Sequence, residues 1–169
     1  MKTTRAGEFF FPFESPVGTI TLLFADDPFV LTGVVLPRQG GAIVPPAGRA
    51  ESRPPEEGSS ARILQFFQSY FNKRPASVPW DLLRLDGFTP LERLVWKKTT
   101  DIAFGTLSAY SAIAEAIGRP GAARFVGNAL GKNPFPIIIP CHRVIRKDGG
   151  LGGFGSGIPI KTKLVAFEG

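Results

Sequence analysis

Between Phe9 and Leu36 the apolar residues come in short aromatic and β-branched runs, Thr19-Ile20-Thr21-Leu22-Leu23-Phe24 and Val30 to Leu36, divided by turn residues. Runs of this length predict strands, with Ser15-Pro16-Val17-Gly18 as a turn and Asp26-Asp27-Pro28 at the tip of a hairpin. From Gln39 to Ser60 the pattern gives way to Pro, Gly, Glu, Arg and Ser, including Pro45-Pro46 and Pro54-Pro55. Such a composition does not fill a core, and a mobile loop over 39–60 is expected. Ser60 then caps a helix whose Ile63, Phe67, Tyr70 and Phe71 share one stripe. The periodicity fades from Lys73 to Asp86, which predicts a connection between an N-terminal domain, 1–80, and a C-terminal domain, 81–169.

The C-terminal half opens with three helical patterns. Thr89-Pro90-Leu91-Glu92 combines a capping residue, a proline at the first helical position and a glutamate three residues after the cap, announcing a helix with Leu91, Leu94 and Val95 inward and Trp96 packed nearby. A second helix is predicted from near Ser108, with Tyr110, Ile113, Ala114 and Ile117 on one stripe and a stop at Gly118. The turn Arg119-Pro120-Gly121 leads to a third helix, about Ala122 to Leu130, with Ala122, Phe125, Val126 and Ala129 inward and Arg124, Gly127, Asn128 and Gly131 outward. Two short helices across a glycine-containing turn form a helix-turn-helix candidate. Its outer face carries one cation followed by small or neutral residues. That suits close approach to a minor groove, roughly 6 Å wide, as well as it suits a solvated arginine on an ordinary helical hairpin.

Length and composition narrow the class. At 169 residues and 43% hydrophobic content the chain has enough apolar material for one or two compact domains, which excludes disorder throughout. The net charge of +6 favours polyanionic partners, since Lys and Arg replacing phosphate counterions supply most non-specific nucleic-acid affinity. The apolar run Phe9-Phe10-Phe11-Pro12-Phe13 is shorter than a signal-peptide core and far shorter than a membrane span, so a soluble cytoplasmic protein is expected.

The candidate chemistry sits in Ile137-Ile138-Ile139-Pro140-Cys141-His142-Arg143-Val144-Ile145, which holds the only cysteine and the only histidine of the chain. A lone cysteine cannot form an internal disulfide and keeps its thiol best in a reducing compartment. An unassisted thiol has a pKa of about 8.5 and is mostly protonated at neutral pH, so a nucleophilic role needs a base, which His142 alone among histidines can supply. In an extended segment adjacent side chains point to opposite faces, so their coupling requires a bridging water or a turn after Pro140. One cysteine and one histidine cannot furnish a structural zinc site, and Glu14, Asp26 and Asp27 lack the spacing of a two-metal carboxylate site. The glycine-rich stretch 149–157 lacks the Gly-Lys-Ser/Thr ending of a phosphate-binding loop and is read as a flexible wall over a pocket.

Arg124-Phe125-Val126-Gly127, Asn133-Pro134, Ile139-Pro140-Cys141-His142-Arg143-Val144, the glycine-rich stretch and the closing Lys163-Leu164-Val165-Ala166-Phe167-Glu168-Gly169 occur in an order and spacing that resemble the O6-alkylguanine-DNA alkyltransferases. Ser15-Pro16-Val17-Gly18 is similar to the family's N-terminal strand signature. The resemblance implies a small mixed α/β N-terminal domain of ribonuclease H-like type and a mainly α, winged-helix-like C-terminal domain containing the helix-turn-helix. It also implies direct repair of double-stranded DNA: an alkylated guanine is flipped out and its alkyl group moved irreversibly to Cys141, by a monomer without cofactor.

On this resemblance His142 acts through a water, Glu168 orients His142, Asn133 holds the hinge between the reading helix and the site, and Tyr110 faces the target nucleotide. Ala122, Ala123, Arg124, Gly127, Asn128 and Gly131 would lie against DNA, with Arg124 in the gap left by the flipped base. Pro136, Phe154, Gly155, Ser156 and Gly157 would surround that base. Phe154 stands where the family often has tyrosine, Asn128 where it usually has a small residue, and Ala109 where serine is common. Two rivals stand beside this reading: a lesion sensor on the same fold that transfers nothing, whose relatives replace the acceptor cysteine, and an unrelated Cys/His hydrolase, which would need an oxyanion hole.

Overall fold

The computed structural model describes residues 7–26, 28–37, 48–52 and 58–169, in two compact units, 1–84 and 85–169. The division falls at Arg84/Leu85, inside the stretch expected to connect two domains.

The first unit is built on strands β1 (Glu8–Phe13), β2 (Ile20–Asp26), β3 (Phe29–Val35) and β4 (Ala50–Glu51) and helix α1 (Ser59–Phe71). The sheet order is β3-β2-β1-β4; β2 runs antiparallel to both β1 and β3, while β4 lies parallel to β1, so the sheet is mixed. Ser15 to Gly18 closes the β1–β2 turn through Gly18 N–H to the Ser15 carbonyl, with Gly18 at φ +115°. Central β2 buries Ile20, Thr21, Leu22, Phe24 and Ala25, as a strand covered on both faces must. Helix α1 seals the sheet by placing Phe67 and Phe71 against Phe13, with ring centroids 5.8 and 6.2 Å apart.

Several expectations shift here. The segment 39–60 is not a loop throughout: Ala50 and Glu51 pair with Phe9 and Phe10, and α1 begins at Ser59. Residues 38–47 and 53–57, and Asp27 of the hairpin tip, lie outside the described residues. Gly58, not Ser60, occupies the cap of α1; Ser60 is buried within the first turn. Beyond α1, Trp80–Leu82 forms a 3₁₀ turn and Leu83 bridges Leu31, so the stretch after Lys73 is tied into the first unit up to Arg84.

The second unit holds α2 (Pro90–Thr100), β5 (Ser108–Ala109), α3 (Tyr110–Ala116), α4 (Ala123–Gly131), β6 (Val144–Ile145) and α5 (Ile158–Glu168), with β5 and β6 paired in parallel. Thr89 and Glu92 form the expected capping box at the start of α2. The buried stripe of α2 is Glu92, Val95, Trp96 and Thr99, whereas Leu94 is 37% exposed and Leu91 half-buried. The stripe is rotated from the apolar pattern because the capping box turns Glu92 inward and the Trp96 Nε1–H donates to the Ala129 carbonyl of α4 at 2.9 Å.

Helix α3 starts at Tyr110, after the short strand, and ends at Ala116, with Ile117 as its cap and Gly118 beyond it at φ +72°. There Gly118 N–H donates to Glu115 O and Arg119 N–H to Ala114 O, a doubly bonded C-terminal turn for which glycine's left-handed conformation is needed. Arg119-Pro120-Gly121-Ala122 then turns tightly into α4, where Val126, Ala129 and Leu130 are buried while Ala122 and Phe125 are only half-buried. None of the helices among the described residues is long and apolar enough to cross a membrane.

Candidate functional site

Cys141 is presented by a sequence of local constraints. Asn133 Oδ1 accepts from the Phe135 N–H, fixing a turn before Pro134, and its Nδ2 donates both to the Ile139 carbonyl at 3.0 Å and to Cys141 Sγ at 3.2 Å. Ile137 is held at φ +75° although it is β-branched and buried, an expensive conformation that the surrounding packing imposes. Pro140, at φ −79° and ψ 61°, makes an inverse γ-turn in which Cys141 N–H donates to Ile139 O at 2.8 Å. Cys141–Arg143 follow as a 3₁₀ turn. A turn after Pro140 is one of the two devices, with a bridging water, by which adjacent side chains could be coupled.

Behind the cysteine lies a closed set of buried charges. His142 Nε2 is 2.7 Å from Glu168 Oε1. Arg143 grips the same carboxylate with two donors, Nε to Oε2 at 2.8 Å and a terminal nitrogen to Oε1 at 3.0 Å, and donates to the Ile102 carbonyl. The Gly105 N–H adds a bond to Oε2 at 3.1 Å. Gly105 has φ +74°, and a Cβ there would stand 3.0 Å from the Glu168 carbonyl oxygen, so glycine permits the approach.

Since a carboxylate so engaged offers only lone pairs, Nε2 of His142 carries the hydrogen, and Nδ1 is left as the acceptor in the neutral ring. That Nδ1 is buried with no hydrogen-bond partner among the described residues. Burial holds the His142 pKa below its usual value, the Glu168 bond opposing it in part. Burial likewise pushes the Cys141 thiol up, against the Asn133 bond and the nearby Lys161 charge. At neutral pH the resting pair is thus a thiol and a neutral imidazole.

Lys161 of α5 is fully buried, and its Nζ donates to the carbonyls of Val144, at 2.7 Å, and Leu151. It lies 5.9 Å from the ring centres of both Tyr110 and Phe154, so one cation ties the strand after Cys141 to the glycine-rich stretch and its aromatic walls. Burial lowers the Lys161 pKa, and Cys141 raises it.

In front of Cys141 opens a cavity of about 600 Å³. Of the residues singled out in the sequence, Tyr110, Ala123, Arg124, Gly127, Asn128, Gly131, Cys141, Phe154 and Gly155 line it. Arg124 and Asn128 are exposed on α4. Ala122, Pro136, Ser156 and Gly157 are not among its lining residues: Pro136 is buried in a bridge to Ile139, and Gly157 caps α5. Tyr110 has a pKa raised first by burial, which keeps the phenol a donor at neutral pH. Gly152 has φ +70°, and a Cβ there would fall 2.8 Å from the Tyr110 hydroxyl, so this glycine is needed for both its backbone and its lack of a side chain.

Sequence reasoning missed Arg143, Arg146, Lys161 and Leu130, while Gly152 and Gly153 lie in the glycine-rich stretch expected to wall the pocket. Arg143 was visible inside the Cys-His-Arg run, but the buried lysine had no local signal, since Ile160-Lys161-Thr162-Lys163 reads as a solvated helix face. Among the described residues no group of three or more His, Cys, Asp or Glu is placed to hold a metal ion.

Residues 90–169 match the family model for the 6-O-methylguanine DNA methyltransferase DNA-binding domain. The chain is 40% identical over 114 residues to the methylated-DNA–protein-cysteine methyltransferase of Mycobacterium bovis, covering 68% of each protein. It is 47% identical over 83 residues to the Shigella flexneri protein of the same name, a match spanning 49% of this chain and about half, 48%, of that relative. Among solved structures, Mycobacterium tuberculosis OGT in complex with DNA superposes with a TM-score of 0.71 at 34% identity, over 95% of this chain and 92% of that one. By site and by fold, this chain belongs to the methylated-DNA–protein-cysteine methyltransferase family.

Proposed function

We infer that the protein repairs DNA directly, by moving an alkyl group from O6-alkylguanine in double-stranded DNA to Cys141. The observation that carries this reading is Cys141 lining a cavity with Tyr110, Phe154 and helix α4, next in the chain to a buried His142 whose Nε2 is held by Glu168. His142 Nδ1, unpartnered by protein, takes the Cys141 proton through a bridging water, and Glu168 holds and stabilises the imidazolium that results. The thiolate attacks the saturated carbon; the carbon–O6 bond breaks, a thioether forms, and the electron pair leaves on the guanine. Tyr110, a donor at neutral pH, offsets the charge gathering on the departing ring. A thioether has no route back to a thiol here, so each molecule acts once.

Damage is reached by extruding the nucleotide, at a cost of a few kcal/mol that is smaller for a poorly paired alkylated base. Arg124 fills the vacated place, and Ala123, Gly127 and Gly131 keep the face of α4 slim enough for a minor groove. The β3-β2-β1-β4 order supports a ribonuclease H-like first unit acting as structural support, and α3, α4 and the β5–β6 pair support a winged-helix-like second unit. A monomer acting in the cytoplasm on nucleoid DNA fits a site built entirely within one unit.

The test is intact mass and peptide mapping after incubation with duplex DNA bearing one O6-methylguanine, with Cys141→Ala in parallel. One added methyl group on Cys141, absent from the variant and accompanied by restored guanine, is the expected result. Tight lesion-selective binding with no mass change would overturn transfer and establish a sensor instead.

A further inference from the structure

Arg146 stands at the mouth of the cavity without a role in the chemistry above. It leaves β6 at the start of a tight hairpin in which Arg146 N–H donates to Gly150 O at 2.8 Å and Gly149 N–H to Arg146 O at 3.1 Å. A Cβ on Gly150 would stand 3.1 Å from Asp148 Oδ1 and 3.4 Å from Arg146 Cδ, so the bare glycine lets the hairpin close with both side chains in place. The nearby Asp148 spends its Oδ1 on the Gly150 N–H. Among the described residues no carboxylate pairs with the Arg146 guanidinium, nor does any carboxylate line the cavity. The rim therefore carries two cations from two different elements, Arg124 from α4 and Arg146 from the hairpin, around an opening sized for a nucleotide.

A base swung into this cavity brings its own backbone with it, and that backbone carries a phosphodiester on each side. Exposed guanidinium that is anchored through its backbone and unclaimed by an acid is suited to a phosphate oxygen, which it meets with paired N–H donors. We propose that Arg146 clamps a phosphodiester flanking the flipped nucleotide, and so serves as a positioning residue that favours bases still attached to DNA over free alkylated bases. This rests on the alkyl-transfer reading.

The test compares Arg146→Ala and Arg146→Lys with the parent on two substrates: duplex DNA with one O6-methylguanine, and the free base O6-benzylguanine, whose activated benzylic carbon needs no backbone. Loss of one phosphate contact lowers the slope of log affinity against log salt by about 1, which at ~0.15 M salt corresponds to a roughly five- to tenfold drop. The expected result is that drop in duplex transfer for Arg146→Ala, partial retention by Arg146→Lys, an unchanged rate with the free base and an unchanged melting temperature. Equal loss on both substrates would place Arg146 on the base or on Tyr110 and overturn the clamp. No loss on either would make it a solvated side chain. Should the parent transfer nothing, the salt slope of duplex binding still reads the clamp, so the two failures are distinguishable.

Discussion

The two units treat charge in opposite ways. In the first, each described ion pair keeps at least one partner about half exposed: Arg62 and Asp81 meet at 2.6 Å with about half of each side chain exposed, Glu8 faces solvent opposite a largely covered Arg49, and the buried polar residues described there are only Thr21 and Ser60. In the second, Glu92, His142, Arg143, Lys161 and Glu168 are all buried. Placing ions in a low-dielectric interior costs several kcal/mol apiece, recovered only through close partners and complete hydrogen bonding. A domain that needed nothing but stability would use apolar residues there, as the first unit does. Three of these, Arg143, Lys161 and Glu168, are ions gathered behind Cys141 and His142, a cost in stability that marks this place as the candidate site.

The largest effect should come from emptying the centre of that network. Glu168→Ala leaves Arg143 buried without a counter-charge and frees the His142 ring, so unfolding free energy should fall by about 3–5 kcal/mol. The transfer rate should fall at least ~100-fold, the usual worth of a positioned general base. Glu168→Gln, which keeps shape and one acceptor but not the charge that Arg143 needs, should recover part of the stability and little of the rate. Equal recovery of both would mean that Glu168 is structural. Chemical denaturation and single-turnover transfer measure the two quantities.

Lys161→Met keeps the stem but removes the bonds to Val144 and Leu151, and two unsatisfied carbonyls should cost about 1–3 kcal/mol each if no water replaces the lysine. The charge also holds the Cys141 thiol lower than burial alone would. Its loss should move the alkaline limb of the transfer pH profile upward, a readout that a merely structural lysine would leave in place.

The comparison also explains what could be read in advance. In the first unit β2, β3 and α1 follow from period and turn residues, because burial there obeys hydrophobicity, whereas β4 and the Trp80–Leu82 turn carry no such signal and fall in stretches expected to be loop or connection. In α2 the same reading put Leu94 inside, and failed because an acid and an indole N–H had claimed the inward positions through hydrogen bonds that no hydrophobic pattern records. The candidate pair was legible because cysteine and histidine are each unique in the chain. Lys161 was not, since only the fold reveals that its helix turns a cation toward the carbonyls behind the cysteine.

A smaller effect should follow from Gly152→Ala. The new Cβ needs the space of the Tyr110 hydroxyl and a left-handed backbone, so roughly 1–2 kcal/mol of stability should be lost. Transfer from duplex DNA should fall roughly tenfold as Tyr110 is pushed aside, and Tyr110→Phe should abolish most of the difference between the two backgrounds. A full additive loss in the double variant would separate the glycine from the phenol.

The smallest effect sharpens the contrast directly. Glu92 is held down to about pKa 2, first by the Lys132 bond at 2.6 Å and then by the capping box, so it binds fewer protons folded than unfolded. Its contribution is fully present above the usual carboxylate value of 4.5 and drains away as pH falls toward about 2. The lowered His142 pKa adds a second loss with the same sign, beginning as pH falls below 6.5. The chain has two tryptophans, Trp80 in the first unit and fully buried Trp96 in the second, so Trp80→Phe leaves fluorescence that reports the second unit alone. In that background Lys132→Ala should move the acid midpoint upward, whereas Arg62→Ala, which opens only an exposed pair in the other unit, should leave it where it was. If Arg62→Ala shifted the Trp96 transition as much, the two units would unfold as one, and the charge economy of the second could not be read separately from the first.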